Sequence, residues 1–160
     1  MNLDWKYSFS SRSLKLFEGD RQVGSLRSNI WTPFFSQGEL YGNHYVFKPR
    51  DFFSKTLIIN ADRNEVEGFI KRGFHPTIKL LDQQASKLNF KNIWMTNVML
   101  VGNEKFRIQS LGGYFKGKLS GNEGTPPSLI LASIYAKNKV WEIGIFLFSI
   151  LAIWLASRSF

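Results

Sequence analysis

Between Glu142 and Arg158 the chain runs for fifteen residues without a charge, IGIFLFSILAIWLAS, and a helix built from them has no polar face. Such a helix has to be covered on every side, by protein or by lipid. A bilayer core about 30 Å thick takes about 20 apolar residues, whereas fifteen at about 1.5 Å each reach about 22 Å. The run is therefore short for a span. Glu142 and Arg158 at the two interfaces, with Trp141 and Trp154 as belt aromatics, would lengthen it. As a core element it needs a wall, and a closed sheet whose interior must be filled supplies one.

The preceding sequence can build that wall. Up to about Thr125 it consists of short apolar stretches broken by Gly, Asn and Asp, the pattern of antiparallel strands joined by hairpins. Ser13 to Phe17 faces Gln22 to Leu26 across a turn in which Gly19 can take positive φ, and Leu14 and Leu16 share one face. Lys55 to Ile59 faces Glu65 to Ile70 across Asn60 to Asn64. A third hairpin joins Ile93–Val101 to Lys105–Ile108, and a further strand, Tyr114 to Leu119, follows Gly112-Gly113. Only Asp82 to Lys87 suggests a turn of helix. A weak repeat relates Tyr45-Val46-Phe47-Lys48, Phe52-Phe53 and Leu57-Ile58-Ile59 to Leu88-Asn89-Phe90-Lys91, Trp94 and Val98-Met99-Leu100. Two copies suit a duplicated β-unit closing on itself; a solenoid or propeller needs more.

A length of 160 residues gives room for one domain, with the wall over 1–127 and an apolar helical segment over 128–160. Hydrophobic residues make up 44%, which excludes disorder as the main description. Without cysteine there is no disulfide framework, no thiolate metal site and no thiol nucleophile, and the expected compartment is a reducing, cytoplasmic one. Met1 to Tyr7 lacks the basic and apolar regions of a cleaved signal.

The layout resembles the tubby-like superfamily, whose relatives include the LURP-one-related proteins and the phospholipid scramblases. It rests on the duplicated meander, the aromatic corners Phe47-Lys48...Phe52-Phe53 and Phe90-Lys91...Trp94, and the hydrophobic C-terminal helix. The resemblance implies a closed barrel of about twelve antiparallel strands around a C-terminal helix. It covers nearly the whole chain and is one of layout, with no site residue carried over. Two apolar segments, 128–136 and 140–156, compete for the central position. The expectation is that 140–156 threads the barrel, with Phe146, Leu147, Ile150 and Trp154 against the inner strand faces.

Residues for catalysis are sparse. His44 and His75 have no second histidine or carboxylate at ligand spacing, so no metal site is expected. No nucleophile elbow, dinucleotide fingerprint, phosphate loop or calcium loop occurs. Glu65 and Glu67 share a strand face as a solvated pair beside Arg63 and Lys71. A non-enzymatic protein without a cofactor is expected.

Charge offers a partner. Against 12 Asp+Glu stand 21 Lys+Arg, a net charge of +9, spread as singles and pairs. An anionic lipid or a membrane surface is the leading partner, with Lys48, Arg50, Lys71, Arg72 and Lys91 as the candidate anionic-ligand surface. Three functions stay open: a tubby-like barrel that binds lipid or a membrane surface or acts as an interaction scaffold, a membrane-anchored β-domain with a C-terminal transmembrane helix, and a single-strand nucleic-acid binder. The last would use aromatics among the basic residues as stacking platforms.

Overall fold

In a computed structural model the chain is described over residues 1–8, 10–11, 13–28, 35–51, 55–91, 97–102, 106–111 and 115–158. Alternation of apolar and polar residues produces strands β1 (Asn2–Ser8), β2 (Ser13–Glu18), β3 (Arg21–Ser28), β4 (Ser36–Leu40), β5 (Asn43–Pro49) and β6 (Lys55–Asn60). The meander continues as β7 (Glu65–Lys71), β8 (Thr77–Leu80), β9 (Ser86–Phe90), β10 (Asn97–Val101), β11 (Phe106–Ser110) and β12 (Lys116–Gly121). Each strand pairs with its neighbours in the chain. β1 also pairs with β12, Leu3 opposite Leu119 and Trp5 opposite Gly117, so the twelve antiparallel strands close into a barrel. The Met1 ammonium donates to the Gly121 carbonyl at 3.0 Å beside this seam. Closure removes the free edges on which an open sheet would aggregate.

The expected hairpins form. β2 and β3 meet at Gly19, whose φ is +59°, and Leu14 and Leu16 both point inward and are buried. β6 and β7 meet through Asn64 in the left-handed region at φ +53°. The repeat maps onto β5–β6 and β9–β10, two pairs of neighbouring strands. Its corners, Phe52-Phe53 and Trp94, lie outside the described residues, as do Ile93 to Thr96, Gly112-Gly113 and Tyr114. The expected turn of helix at Asp82 to Lys87 does not form: Leu81 and Asp82 make a turn closed by the Gln83 N–H on the Leu80 carbonyl at 3.3 Å, and Ser86 and Lys87 open β9. Ser86 points into the barrel and Lys87 out, so strand alternation prevails over a short polar helical signal.

Inside the wall runs α1 (Pro127–Ser157), a single helix of 31 residues. Pro126 precedes it and Pro127 occupies its first turn, where the missing N–H leaves no bond unmade. Ser128 to Val140 are buried inside the barrel, about 20 Å of helix at about 1.5 Å per residue. Phe47 stacks on Tyr135 with centroids 4.7 Å apart, and Ser133 returns its hydroxyl hydrogen to the Leu129 carbonyl at 2.7 Å. A β-carbon at Gly38 would lie 3.2 Å from Leu131 Cδ1, so the helix runs close to the wall there.

The segment that fills the barrel is therefore 128–140, which corrects the expectation for 140–156. Phe146 is 64% exposed, and Leu147, Ile150 and Trp154 stand about half exposed beyond the mouth, touching no inner strand face. Side-chain size explains the choice. The inner half brings Ala132, Ser133 and Ala136 to a lumen already lined by Leu and Ile, whereas the outer half carries Phe146, Phe148 and Trp154, which are far bulkier.

Candidate functional site

The helix enters near Leu80 to Gln83, which share a groove with Pro127 and Ser128, and leaves near Ile70, Arg72 and Pro76, which line a small cavity with Val140 and Ile143. From Glu142 to Arg158 every residue is exposed. Ten large apolar side chains project there, among them Phe148 at 72%. The helix is long and apolar enough to cross a membrane, and its most apolar window is almost wholly outside the barrel. Charge marks the start and end of this stretch: Lys139 Nζ lies 2.7 Å from Glu142 Oε2, and the Arg158 guanidinium sits 4.1 Å from the centroid of the Trp154 ring. Phe74, Leu111 and Phe115 are exposed on the loops around the exit.

On the same side the wall is basic. The Arg50 N–H donates to the Lys55 carbonyl at 2.9 Å, Lys55 lies opposite Lys71, Lys71 opposite Thr77, and Thr77 opposite Lys87. A second outward row sets Lys48 beside Leu57, Leu57 beside Phe69 and Phe69 beside Lys79. Six cations thus share one surface over β5 to β9. Lys55 and Lys71, directly opposed, repel each other. Lys55 Nζ leans over the Phe69 ring, 5.1 Å from its centroid. The Asp51 carboxylate accepts a backbone N–H from Lys55 at 3.3 Å.

Of the candidate cations, Lys48, Arg50 and Lys71 come together. Arg72 turns toward the mouth, donating from Nε to Thr56 Oγ1 at 3.1 Å and from NH2 to the Lys55 carbonyl at 3.4 Å, so it braces the strands. Lys91 lies four residues beyond Lys87 on β9, about 13 Å along the strand. Lys55, Lys79 and Lys87 join the patch through barrel register, which their spacing in the chain does not reveal.

Phe47, one aromatic of the stacking-platform reading, is buried against Tyr135. Burial pushes the Tyr135 hydroxyl up to about 12. His44 has carboxylates nearby that its sequence context did not show: Nδ1 lies 2.9 Å from Asp62 Oδ1, and Nε2 lies 4.0 Å from Glu39 Oε2. The Asp62 carboxyl is held below its usual range, first by the His44 backbone N–H and then by the His44 ring. No group of three or more such residues is placed to hold a metal among the described residues. Glu67 accepts from Asn60 Nδ2 at 2.8 Å and pairs with Arg63 at 2.5 Å, a bracing role for the hairpin. Compared with family models, curated proteins and solved structures, the chain matches none.

Proposed function

We propose that this protein is a non-enzymatic barrel module held at a membrane by the outer half of its own core helix, with the basic wall over β5 to β9 turned to anionic lipid. One observation carries the reading: a single helix leaves the barrel and continues for about 25 Å, at about 1.5 Å per residue, with its apolar side chains uncovered. Moving ten half-exposed large apolar side chains into lipid releases free energy on the order of 10 kcal/mol. The six cations of the basic wall favour the barrel on the cytoplasmic face, where anionic lipids concentrate. The twelve-strand layout around a helix supports, as a proposal, kinship with the tubby-like superfamily.

Membrane fractionation tests this. The full chain should pellet with membranes, resist high salt and alkaline carbonate, and dissolve in detergent, while a chain ending at Trp141 should be soluble, since it retains every buried helix residue. A full chain that stays monodisperse in detergent-free buffer, as a monomer or as a dimer hiding the two helices, would refute the anchor.

A further inference from the structure

Among the described residues two cations are buried on α1: Lys139, which pairs with Glu142, and Lys137. Lys137 lies on the buried half of α1, one turn before the exit, and is only 3% exposed. Its ammonium sits 4.8 Å from the centroid of the Trp5 ring, and no hydrogen bond or ion pair to a described residue engages it. Burial alone brings its proton affinity down to about 8, with no carboxylate contributing.

Around it, other polar atoms lack partners as well. Trp5 Nε1 and Ser110 Oγ are fully buried and make no hydrogen bond. These side chains are neighbours across one row of the wall: Trp5 lies opposite Gly117, and Gly117 opposite Ser110, all three pointing inward on β1, β12 and β11. A β-carbon at Gly117 would fall 2.6 Å from Trp5 Cζ2, so glycine lets the indole lie across this row. Asn138, next to Lys137 on the helix, leaves its amide oxygen unpaired and buried too. A buried polar atom left without a hydrogen bond carries a desolvation penalty that nothing offsets. Several of them beside a buried ammonium, near an open end of the barrel, bring polar groups together that a small polar ligand could engage.

We propose that the exit mouth binds a singly charged oxyanion, a phosphodiester or a carboxylate, through Lys137 Nζ with the Trp5 indole N–H and the Ser110 hydroxyl as further donors. One ammonium in a low-dielectric lumen is balanced by one negative charge, and all three groups donate, which a carboxylate or phosphodiester oxygen accepts. The exit side of the barrel also carries the protruding helix, so the head of an anionic lipid and a free anion are both plausible sources of this chemistry.

The test uses the full chain in nonionic detergent, titrated with dimethyl phosphate and acetate as heads alone and with dihexanoyl phosphatidylglycerol and hexanoate as tailed probes. Saturable one-to-one binding is expected, weakened at least tenfold in Lys137→Met and severalfold in Ser110→Ala. Binding of the heads alone marks a free anion, and binding restricted to tailed probes marks a lipid; either supports the site. A second measurement needs no variant: in the isotopically labelled wild type, a saturating probe should raise the pH at which Lys137 loses its proton by one unit or more. Absence of saturable binding by any probe, equal binding by Lys137→Met, or an unmoved Lys137 titration would overturn the proposal.

Discussion

Lys137 sets a pH dependence that can be read on stability. In the folded chain its ammonium gives up the proton near 8, whereas its ordinary value is 10.5. Between these limits the unfolded chain holds the extra proton, so stability rises with pH. Tyr135 acts in the opposite sense above its ordinary value of 10.0, because its folded hydroxyl holds the proton to about 12. The melting temperature of the ligand-free protein in detergent is thus expected to climb between pH 8 and 10, through a gain on the order of 2 kcal/mol. Lys137→Met should abolish the climb. A wild-type profile falling over that interval would show that the ammonium is not desolvated. This residue was invisible to sequence reading for a simple reason: Lys137-Asn138-Lys139 reads as a polar break between apolar segments, and only the fold puts its first lysine against Trp5, 132 positions earlier.

The elements were unequally legible, and side-chain size separates those that were from those that were not. β2 and β6 announce themselves through Leu14, Leu16 and Ile58, but β4 does not, because two of its inward residues are Ser36 and Gly38. Gly38 is small because Leu131 of α1 lies against it. Periodicity also could not choose between the apolar segments of α1, since both are apolar around the helix; the small residues of 128–136 were the available signal. The inner placement of 128–140 has an energetic consequence. Phe146→Ala, far outside the barrel, should shift the melting temperature little, whereas Phe47→Ala should cost about 3 to 5 kcal/mol by opening a cavity against Tyr135. Thermal melts of the two variants in one detergent compare them directly, and equal losses would contradict the inner placement of 128–140. The basic patch belongs to the same scale, since strand register assembles it. Reversing Lys55 and Lys71 to Glu in the chain ending at Trp141 should weaken sedimentation with phosphatidylserine vesicles several-fold at low salt and leave phosphatidylcholine vesicles unaffected. Unchanged phosphatidylserine binding would remove the patch from the membrane reading.

For the whole molecule, the closed wall and the single helix have a joint mechanical consequence. Proteins on membranes commonly hang from a flexible linker and sample many attitudes to the bilayer. Here α1 passes from lumen to exterior with no break in its helical run at Val140 or Trp141, and Phe47 against Tyr135 and Gly38 against Leu131 are among the wall contacts gripping its inner half. The barrel is mounted on its mast as a wheel on a fixed axle. If the mast stands in a bilayer, any tilt of the transmembrane segment tilts the barrel with it, and the exit mouth stays directed at the lipid. The molecule then has one resting attitude, and changes in bilayer thickness that tilt the helix are transmitted mechanically to the barrel.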